Sequence, residues 1–397
     1  MHRGAQLTLH EGERLLTPLF VKLQARLDEP RGEGRVRVTH VGDSHIIADF
    51  WTGAMRERWQ ASFGDGGRGY VLPGKGWRSF SQKHIAHRTE GEWDVKSIKR
   101  GREGGWFGPG GCFFKSDQPT NSLEVFTRAS QPSSSFNRLR VFSLASPTSG
   151  AFTLSVDETP YGRYSTQRGY THLLSHSFEL NDAPHSVRLS PAQAGEAVTL
   201  LGFSLERSQG GLIYDAIGLN GAQAKQQLKN TQSALHASLK ALNSDLIILS
   251  YGINELFDHS WSAASYEREL RATVTALRRA APHSECLLTG PFAALLKGRP
   301  HPELDAVYLA QRQVAAELKC AFWDARAAMG DDLRPWQRAR LAQRDGIHLT
   351  VRGYQRVATL FEESVALSLE RWRAAQAGAQ PLEGELNPQA TPRLTSE

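Results

Sequence analysis

The chain has 397 residues, of which 40% are hydrophobic, and it contains nine tryptophans. This length and composition are typical of a globular protein with two domains, or with one large interrupted domain, and exclude a disordered chain. The formal net charge is +6, but the arginines are spread along the chain without dense basic runs between aromatic residues. We therefore expect no nucleic-acid partner, whereas an anionic polymer such as a bacterial wall is compatible with this charge.

The sequence gives only partial information about the compartment. No apolar stretch reaches the roughly 18 residues of a membrane-spanning helix, so we expect no integral membrane protein. Residues 1–10 lack the apolar core of a signal peptide, which predicts either a cytoplasmic protein or a trimmed or re-annotated form. Cys112, Cys286 and Cys320 match no zinc spacing and define no disulfide framework. Because Cys286 and Cys320 lie in apolar runs, we expect both to be buried as small hydrophobic side chains.

The first part of the chain predicts a helix, a strand and a second helix. Leu15 to Leu27 has an amphipathic pattern with Pro18 in its first turn. Val36 to Val41 then predicts a buried strand, and apolar residues at helical spacing predict a helix over 46–63. Only Gly42-Asp43-Ser44 separates this strand from the helix. A serine there suits a nucleophile beside free helix N–H donors, and it also suits a plain N-cap.

The middle of the chain has the pattern of an antiparallel β-sandwich. The glycine-rich stretch 63–70 follows a helix and lacks a Gly-Lys-Ser/Thr sequence, so it predicts a helix stop rather than a phosphate loop. Beyond it, short alternating runs are separated by turn signals and interrupted by no helical pattern. These runs cover residues 138–144, 151–156, 172–180, 186–189 and 197–205.

An alternation of strands and helices begins at Leu212 and predicts a parallel, doubly wound sheet. The predicted strands are 212–217, 245–250, 285–289 and 320–323, and the predicted helices are 266–280, 304–318 and 351–372. The strand before Ser44 would belong to the same α/β domain, which is interrupted and then resumed. The residues from about 376 onward are rich in Gly, Pro, Gln and Glu and predict disorder.

Four short motifs lie at the ends of predicted strands, where an open parallel sheet binds its ligands. They are Gly42-Asp43-Ser44, Gly218-Leu219-Asn220-Gly221-Ala222, Tyr251-Gly252-Ile253-Asn254 and Asp345-Gly346-Ile347-His348-Leu349. In acyl transfer, His348 would be the base for Ser44, and Asp345 would orient the imidazole and stabilise its charged form. The backbone N–H groups of Ser44 and Gly221 and the side-chain amide of Asn254 would supply the donors that a tetrahedral oxyanion needs.

Each motif also has a plainer interpretation. Turns or caps account equally well for Gly218, Gly221, Asn254 and the pair Asp345-Gly346, with His348 as a surface or core histidine. Asp345 and His348 would also suit a metal, but no further His, Asp or Glu set is spaced to complete a site, so we expect none. His40 and His45 flank the serine without an independent signal of a role.

Together and in this order, Gly-Asp-Ser, Gly, Gly-x-Asn and Asp-x-x-His resemble the four blocks of the SGNH (GDSL-type) hydrolase superfamily. The resemblance covers about residues 30–75 and 210–375. It implies a flavodoxin-like three-layer α/β/α domain and hydrolysis through an acyl-serine, without a cofactor. By motif match, the catalytic residues would be Ser44, Asp345 and His348, and the oxyanion hole would be formed by Ser44, Gly221 and Asn254.

The long separation between Ser44 and Gly221 resembles bacterial peptidoglycan O-acetylesterases, in which a carbohydrate-binding-module-like sandwich interrupts the SGNH domain. The Gly-Asp-Ser-His opening and the 63–70 loop also resemble that group. The expected divisions are an N-terminal helical segment (1–30), a discontinuous SGNH hydrolase domain (31–80 and 210–375), an inserted β-sandwich (81–209) and a disordered tail (376–397).

This resemblance implies a serine esterase that removes O-acetyl groups from a bacterial cell-wall glycan, with peptidoglycan as the favoured substrate. Such an enzyme would work in the periplasm or cell envelope, although this chain shows no signal peptide. Three alternatives remain open: an O-acetyltransferase acting on a polysaccharide with the same triad, a GDSL-type lipase or esterase acting on small or lipid esters, and a non-catalytic glycan-binding protein. The sequence predicts no particular oligomeric state.

Overall fold

The computed structural model describes residues 9–29, 32–77, 80–128, 133–258 and 260–378. The strands are β1 (Leu9–His10), β2 (Arg35–Gly42), β3 (Gly69–Val71), β4 (Ile85–Glu90), β5 (Asp94–Ser97), β6 (Cys112–Ser116), β7 (Ser122–Thr127), β8 (Ser135–Ala145), β9 (Ala151–Val156), β10 (Thr159–Ser165), β11 (His172–Pro184), β12 (Ser186–Pro191), β13 (Val198–Glu206), β14 (Gly211–Gly218), β15 (Leu246–Ser250), β16 (Glu285–Thr289), β17 (Leu295–Leu296), β18 (Arg299–Pro300) and β19 (Ala321–Trp323). The α-helices are α1 (Gly12–Leu15), α2 (Thr17–Asp28), α3 (Ser44–Ile47), α4 (Phe50–Phe63), α5 (Gln232–Leu242), α6 (Ala263–Ala280), α7 (Leu304–Glu317), α8 (Ala325–Met329), α9 (Leu333–Arg338) and α10 (Val351–Gln376), with 3-10 turns at Ala224–Lys229 and Asn254–Phe257.

The central sheet has the strand order of a flavodoxin-like domain. Its parallel strands lie in the order β14-β2-β15-β16-β19, with β1 antiparallel at the edge beside β19. Counted along the chain, the parallel strands follow the order 2-1-3-4-5, so the strand order reverses beside β2. Gly42 at the end of β2 is in register with Gly218 of β14 on one side and Ser250 of β15 on the other. The first three predicted motifs therefore begin at the carboxyl ends of three neighbouring strands.

Helices cover both faces of this sheet. On one face, α2, α4 and α10 contribute Phe20, Trp51 and Phe361 to a buried cluster. On the other face, α5 and α6 contribute Leu239 and Val274 to a second cluster. Burying an apolar face of each helix against a sheet is the main favourable term in this arrangement. The three-layer α/β/α fold class predicted from the sequence is confirmed.

The residues between the two parts of this domain form an antiparallel β-sandwich. One sheet has the order β10-β9-β12-β7-β4 and the other β11-β8-β13-β6-β5, and β3 also pairs with β13. The five runs predicted from alternation all form strands. The predicted runs did not include β4, β5, β6, β7 or β10. Of these, β10 is exposed along nearly its whole length and so carries no apolar face. The domain boundaries at 80/81 and 209/210 stay predictions.

The predicted helix over 46–63 is wrong in one respect, since it is broken at Asp49. This residue has a φ of 56° and separates α3 from α4. Its buried carboxylate accepts hydrogen bonds from Arg56 at 2.7 Å and from Arg68 of the 63–70 loop at 2.7 Å. Burial alone raises the pKa of a carboxyl group, but these two guanidinium groups lower the pKa of Asp49 to about 2. The glycine-rich loop thus supplies an arginine to a buried ion cluster.

The expectation for the cysteines requires a correction. Cys286 and Cys320 are buried as predicted, but they are joined in a disulfide. Cys286 lies in β16 and Cys320 directly precedes β19, and these strands are neighbours in the sheet. Periodicity does not reveal that adjacency, so the pairing could not be read from the spacing. Cys112 is a buried free thiol, and burial raises its pKa to about 12.

The two ends of the chain lie largely outside the described residues. Most of the predicted disordered tail, 379–397, and the first eight residues of the predicted N-terminal segment are among them. Within the described part, α2 carries Pro18 in its first turn as predicted, and α10 extends to Gln376. No helix in the described ranges combines the length and apolar character needed to cross a bilayer.

The disulfide predicts a thiol count. We expect one free thiol per chain in denaturant without reductant and three after reduction, measured with a thiol-reactive chromogen. A double variant with Cys286→Ser and Cys320→Ser should lose about 3–4 kcal/mol of unfolding free energy, because the denatured chain is no longer closed into a loop. Reduced wild-type protein is the control and should match the variant. Three thiols before reduction would contradict the pairing.

Candidate active site

Ser44 occupies the first position of α3, directly after the end of β2. The N-cap of this short helix is Asp43, whose carboxylate accepts a hydrogen bond from the backbone N–H of His45 at 2.9 Å. The interpretation of Ser44 as the N-cap is therefore wrong. With Asp43 as the cap, the Ser44 hydroxyl is available for another partner.

That partner is His348. Ser44 Oγ lies 2.9 Å from His348 Nε2, and His348 Nδ1 lies 2.7 Å from Asp345 Oδ2. A carboxylate only accepts, so Nδ1 donates to Asp345 and Nε2 is left to accept the Ser44 proton. The structure thus brings these side chains together although Ser44 and His348 are 304 positions apart in the sequence.

The loop that carries Asp345 and His348 is held by its own backbone. Asp345 Oδ1 accepts hydrogen bonds from the N–H groups of Ile347 and His348, each at 2.9 Å. Partial burial raises the pKa of this carboxyl group, but these bonds and the contact with the His348 side chain hold it below its ordinary value. Gly346 has a φ of 78°, and a Cβ there would lie 2.8 Å from the carbonyl oxygen of Leu295. Only glycine fits this turn without strain.

Asn254, one of the predicted oxyanion residues, lies beside Asp43. Asn254 Nδ2 donates to Asp43 Oδ2 at 2.8 Å and to the carbonyl oxygen of Ala222 at 3.1 Å. Gly221, which precedes Ala222, has a φ of 64°. Since an amide has two N–H hydrogens, donation from Asn254 to an oxyanion requires that one of these bonds be released. The bond to Ala222 is the longer of the two.

Two buried carboxyl groups, those of Asp43 and Glu255, lie near the carboxyl ends of the strands. Burial raises the pKa of Asp43 to about 6, against the opposing effect of hydrogen bonds that include one from the N–H of His45. Burial also raises the pKa of Glu255 to about 7. Glu255 accepts hydrogen bonds from the N–H of Ala224 at 2.8 Å and of Gly252 at 3.0 Å. It therefore joins the Gly221 loop to the Asn254 loop.

Sequence reasoning missed this role of Glu255. From the sequence, Glu255 directly after Asn254 would be expected to be exposed to solvent, because no periodic pattern predicts its burial. The two backbone donors that it satisfies come from separate parts of the chain, so only the folded structure reveals them.

The flanking histidines are buried and neutral. His40 contacts the hydroxyl of Tyr214 at 2.9 Å and that of Ser250 at 2.6 Å. His45 Nδ1 contacts the hydroxyl of Tyr354 at 2.9 Å, and its ring centroid lies 5.6 Å from that of His348. Burial lowers the pKa of His40 and of His45 to about 3. Both rings therefore act as neutral hydrogen-bonding partners of buried hydroxyl groups.

The functional groups of the site suit acyl transfer. They consist of a hydroxyl, an imidazole and a carboxylate in a hydrogen-bonded series, beside backbone and amide donors. Within the described ranges, no group of three or more His, Cys, Asp or Glu side chains is arranged to hold a metal ion.

Comparisons with known proteins agree with this chemistry. The model of the GDSL-like Lipase/Acylhydrolase family matches residues 179–356, which include Gly221, Asn254, Asp345 and His348. A solved structure of a peptidoglycan O-acetylesterase is 26% identical, with 89% of this chain and 96% of that chain covered and a TM-score of 0.74.

Two further solved structures cover less of the chain. One is a putative GDSL-like lipase from Parabacteroides merdae, 20% identical, covering 40% of this chain and 74% of that chain with a TM-score of 0.32. The other is an acetylxylan esterase from Geobacillus stearothermophilus, 20% identical, covering 40% and 73% with a TM-score of 0.32. The comparison with curated protein sequences found no match.

The buried position of Glu255 predicts a pH dependence of stability. Its pKa in the folded protein, about 7, lies above the ordinary value of 4.5. The folded state therefore binds this proton more tightly, and the resulting stabilisation is present below about pH 4.5 and is lost as the pH rises through about 7. We expect Glu255→Gln to make the decline of the melting temperature over this range shallower. The exposed Glu103→Gln is the control; equal slopes in all three proteins would contradict the prediction.

Proposed function

Because the chain is an SGNH (GDSL-type) hydrolase that acts on ester bonds, we propose that it removes O-acetyl groups from peptidoglycan, a bacterial cell-wall glycan. The observation that carries this proposal is the match to the peptidoglycan O-acetylesterase, which extends over 89% of the chain and therefore includes residues of the inserted sandwich. We also propose that the sandwich over 81–209 acts as a carbohydrate-binding module that presents the polymer to the site.

In the proposed reaction, Ser44 is the nucleophile and His348 the base. Nε2 of His348 takes the hydroxyl proton of Ser44 as Oγ attacks the acetyl carbonyl carbon, and Asp345 stabilises the imidazolium that forms. The tetrahedral intermediate then expels the sugar oxygen, which receives that proton from His348. Water, deprotonated by His348, attacks the acyl-serine, and acetate leaves as Ser44 regains its proton.

The proposed oxyanion hole combines Ser44 N–H, Gly221 N–H and the amide of Asn254. Such donors act on the charge that develops in the transition state, and the loss of one typically costs about 10²–10³ in kcat. Asn254 would turn one N–H from the Ala222 carbonyl toward the oxyanion while keeping its bond to Asp43. The carboxyl group of Asp43 would thus orient the amide.

We propose the cell envelope as the compartment. Two observations support this: the similarity to a peptidoglycan O-acetylesterase, and the Cys286–Cys320 disulfide, since disulfides persist in oxidising compartments.

Substitution of the triad tests the mechanism. Ser44→Ala and His348→Ala should each lower the rate of release of nitrophenol from nitrophenyl acetate by about 10³-fold or more. Asp345→Asn should be less severe, because the imidazole remains. His283→Ala, at an exposed histidine remote in sequence from the motifs, is the control, and thermal melting should show that each variant is folded. Wild-type rates in either Ser44→Ala or His348→Ala would rule out the mechanism.

The substrate is tested by acetate release from O-acetylated peptidoglycan and from acetylated xylan at matched ester concentrations. We expect a higher kcat/KM on peptidoglycan. Faster release from xylan, or a preference for long-chain over acetyl nitrophenyl esters, would contradict the proposal. Acetate released is also compared with acetyl transferred to sugar hydroxyls, because predominant transfer would identify an acetyltransferase instead.

A further inference from the structure

The segment after β5, in the predicted insertion, brings a lysine to the edge of the active site. Lys99 Nζ donates a hydrogen bond to the carbonyl oxygen of Asn220 at 2.8 Å. The next residue is Gly221, and a Cβ built on it would collide with Lys99 Nζ. The same Cβ position lies 3.9 Å from Asn254 Oδ1. The ammonium group therefore lies beside two of the proposed oxyanion residues.

Hydrogen bonds fix the loop that carries this lysine. Lys229 Nζ donates to the carbonyl oxygen of Lys99 at 3.0 Å. The N–H of Gly105 donates to the carbonyl of Lys229 at 2.9 Å, and the N–H of Thr231 donates to the carbonyl of Gly105 at 3.2 Å. The loop is thus bound to the segment that follows the Gly221 motif. Lys99 is held at the site by this docking, although its side chain is exposed.

The positive charge of Lys99 has no carboxylate partner among the residues that the structure describes, and neither has that of Lys229. Lys225, in contrast, pairs with Asp258 at 2.8 Å and with Glu269 at 3.4 Å. The ammonium of Lys99 has three N–H donors, of which one is used in the bond to Asn220. Two donors and a full charge therefore remain for a group of the substrate.

We propose that Lys99 binds a carboxylate of the glycan substrate, so that the enzyme selects carboxylate-bearing over neutral acetylated glycans. This inference rests on the proposed esterase function of the site. An ammonium beside Asn220 and Gly221 contacts a carboxylate carried by the same or a neighbouring sugar unit, either directly or through its peptide, rather than the acetyl group itself. Because the side chain is exposed and screened by solvent, we expect a selectivity of about three- to fivefold.

The test combines two enzymes with two forms of one substrate. O-acetylated peptidoglycan is used either with free carboxylates or after carbodiimide-driven amidation, which neutralises them. For the wild type, amidation should lower kcat/KM about three- to fivefold, mainly by raising KM, and added salt should reduce this difference. For Lys99→Gln the two forms should react equally. Lys96→Gln, at an exposed lysine near Asp94 in β5, is the matched control and should behave as the wild type.

A third substrate distinguishes the sources of the carboxylate. In intact strands the stem peptide is joined to the lactyl group of the sugar through an amide, so amidase treatment removes the peptide carboxylates and frees the lactyl carboxylate. Loss of the Lys99 effect after this treatment assigns the contact to a peptide carboxylate, whereas a retained effect shows that a carboxylate carried directly by the sugar is sufficient. If Lys99→Gln lowers the rate on native, amidated and small neutral esters by the same factor, the lysine acts on the oxyanion instead and the proposal is wrong. Equal rates of wild-type enzyme on both forms would also overturn it, whereas no acetate release from either form would refute the proposed function itself.

Discussion

The buried guanidinium group of Arg37 connects the central parallel sheet to the β-sandwich, and the placement of the sandwich relative to that sheet depends on this contact. Arg37 in β2 donates to Asp215 of β14 at 2.7 Å and to Glu206 of β13 at 2.8 Å. Asp215 also accepts the backbone N–H of Tyr70 in β3 at 2.7 Å. Removing one partner of such a cluster leaves a buried charge unpaired, which typically costs about 3–5 kcal/mol. Strands of the sandwich are thereby bound to the strand that leads to Ser44, at the end remote from the serine.

A second contact between these parts lies at the opposite end of β2. Arg37 and Ser44 are separated by roughly 20 Å along an extended strand, and the loop carrying Lys99 meets the Gly221 motif at the serine end. The sandwich is therefore attached at both ends of the strand. An insertion held at two such points forms a fixed wall of the candidate site rather than a freely moving module.

The features that the sequence predicts well depend on local patterns. Alternation marks β8 and β9 because each has one buried face, and continuous apolar character marks β15 because both its faces are covered. The pairing of Ser44 with His348 follows from motif order and from the rule that ligands bind at strand ends. The features that the sequence does not predict depend on contacts between distant segments. Asp49, where the helix is broken, pairs with Arg68, and Cys286 pairs with a cysteine beside the neighbouring strand. The buried Glu255 accepts hydrogen bonds from two backbone N–H groups in separate parts of the chain.

The separation of Ser44 from His348 in the sequence also matters during biosynthesis. The serine lies near the start of the chain, and His348 follows it by 304 positions, with the sandwich between them. In a nascent chain that has not yet reached His348, the Ser44 hydroxyl lacks its histidine partner and the sheet lacks α10, whose Phe361 packs against Trp51. Contacts of such long range form late in folding. The contact between Ser44 and His348 therefore forms only when synthesis of the α/β domain is nearly complete.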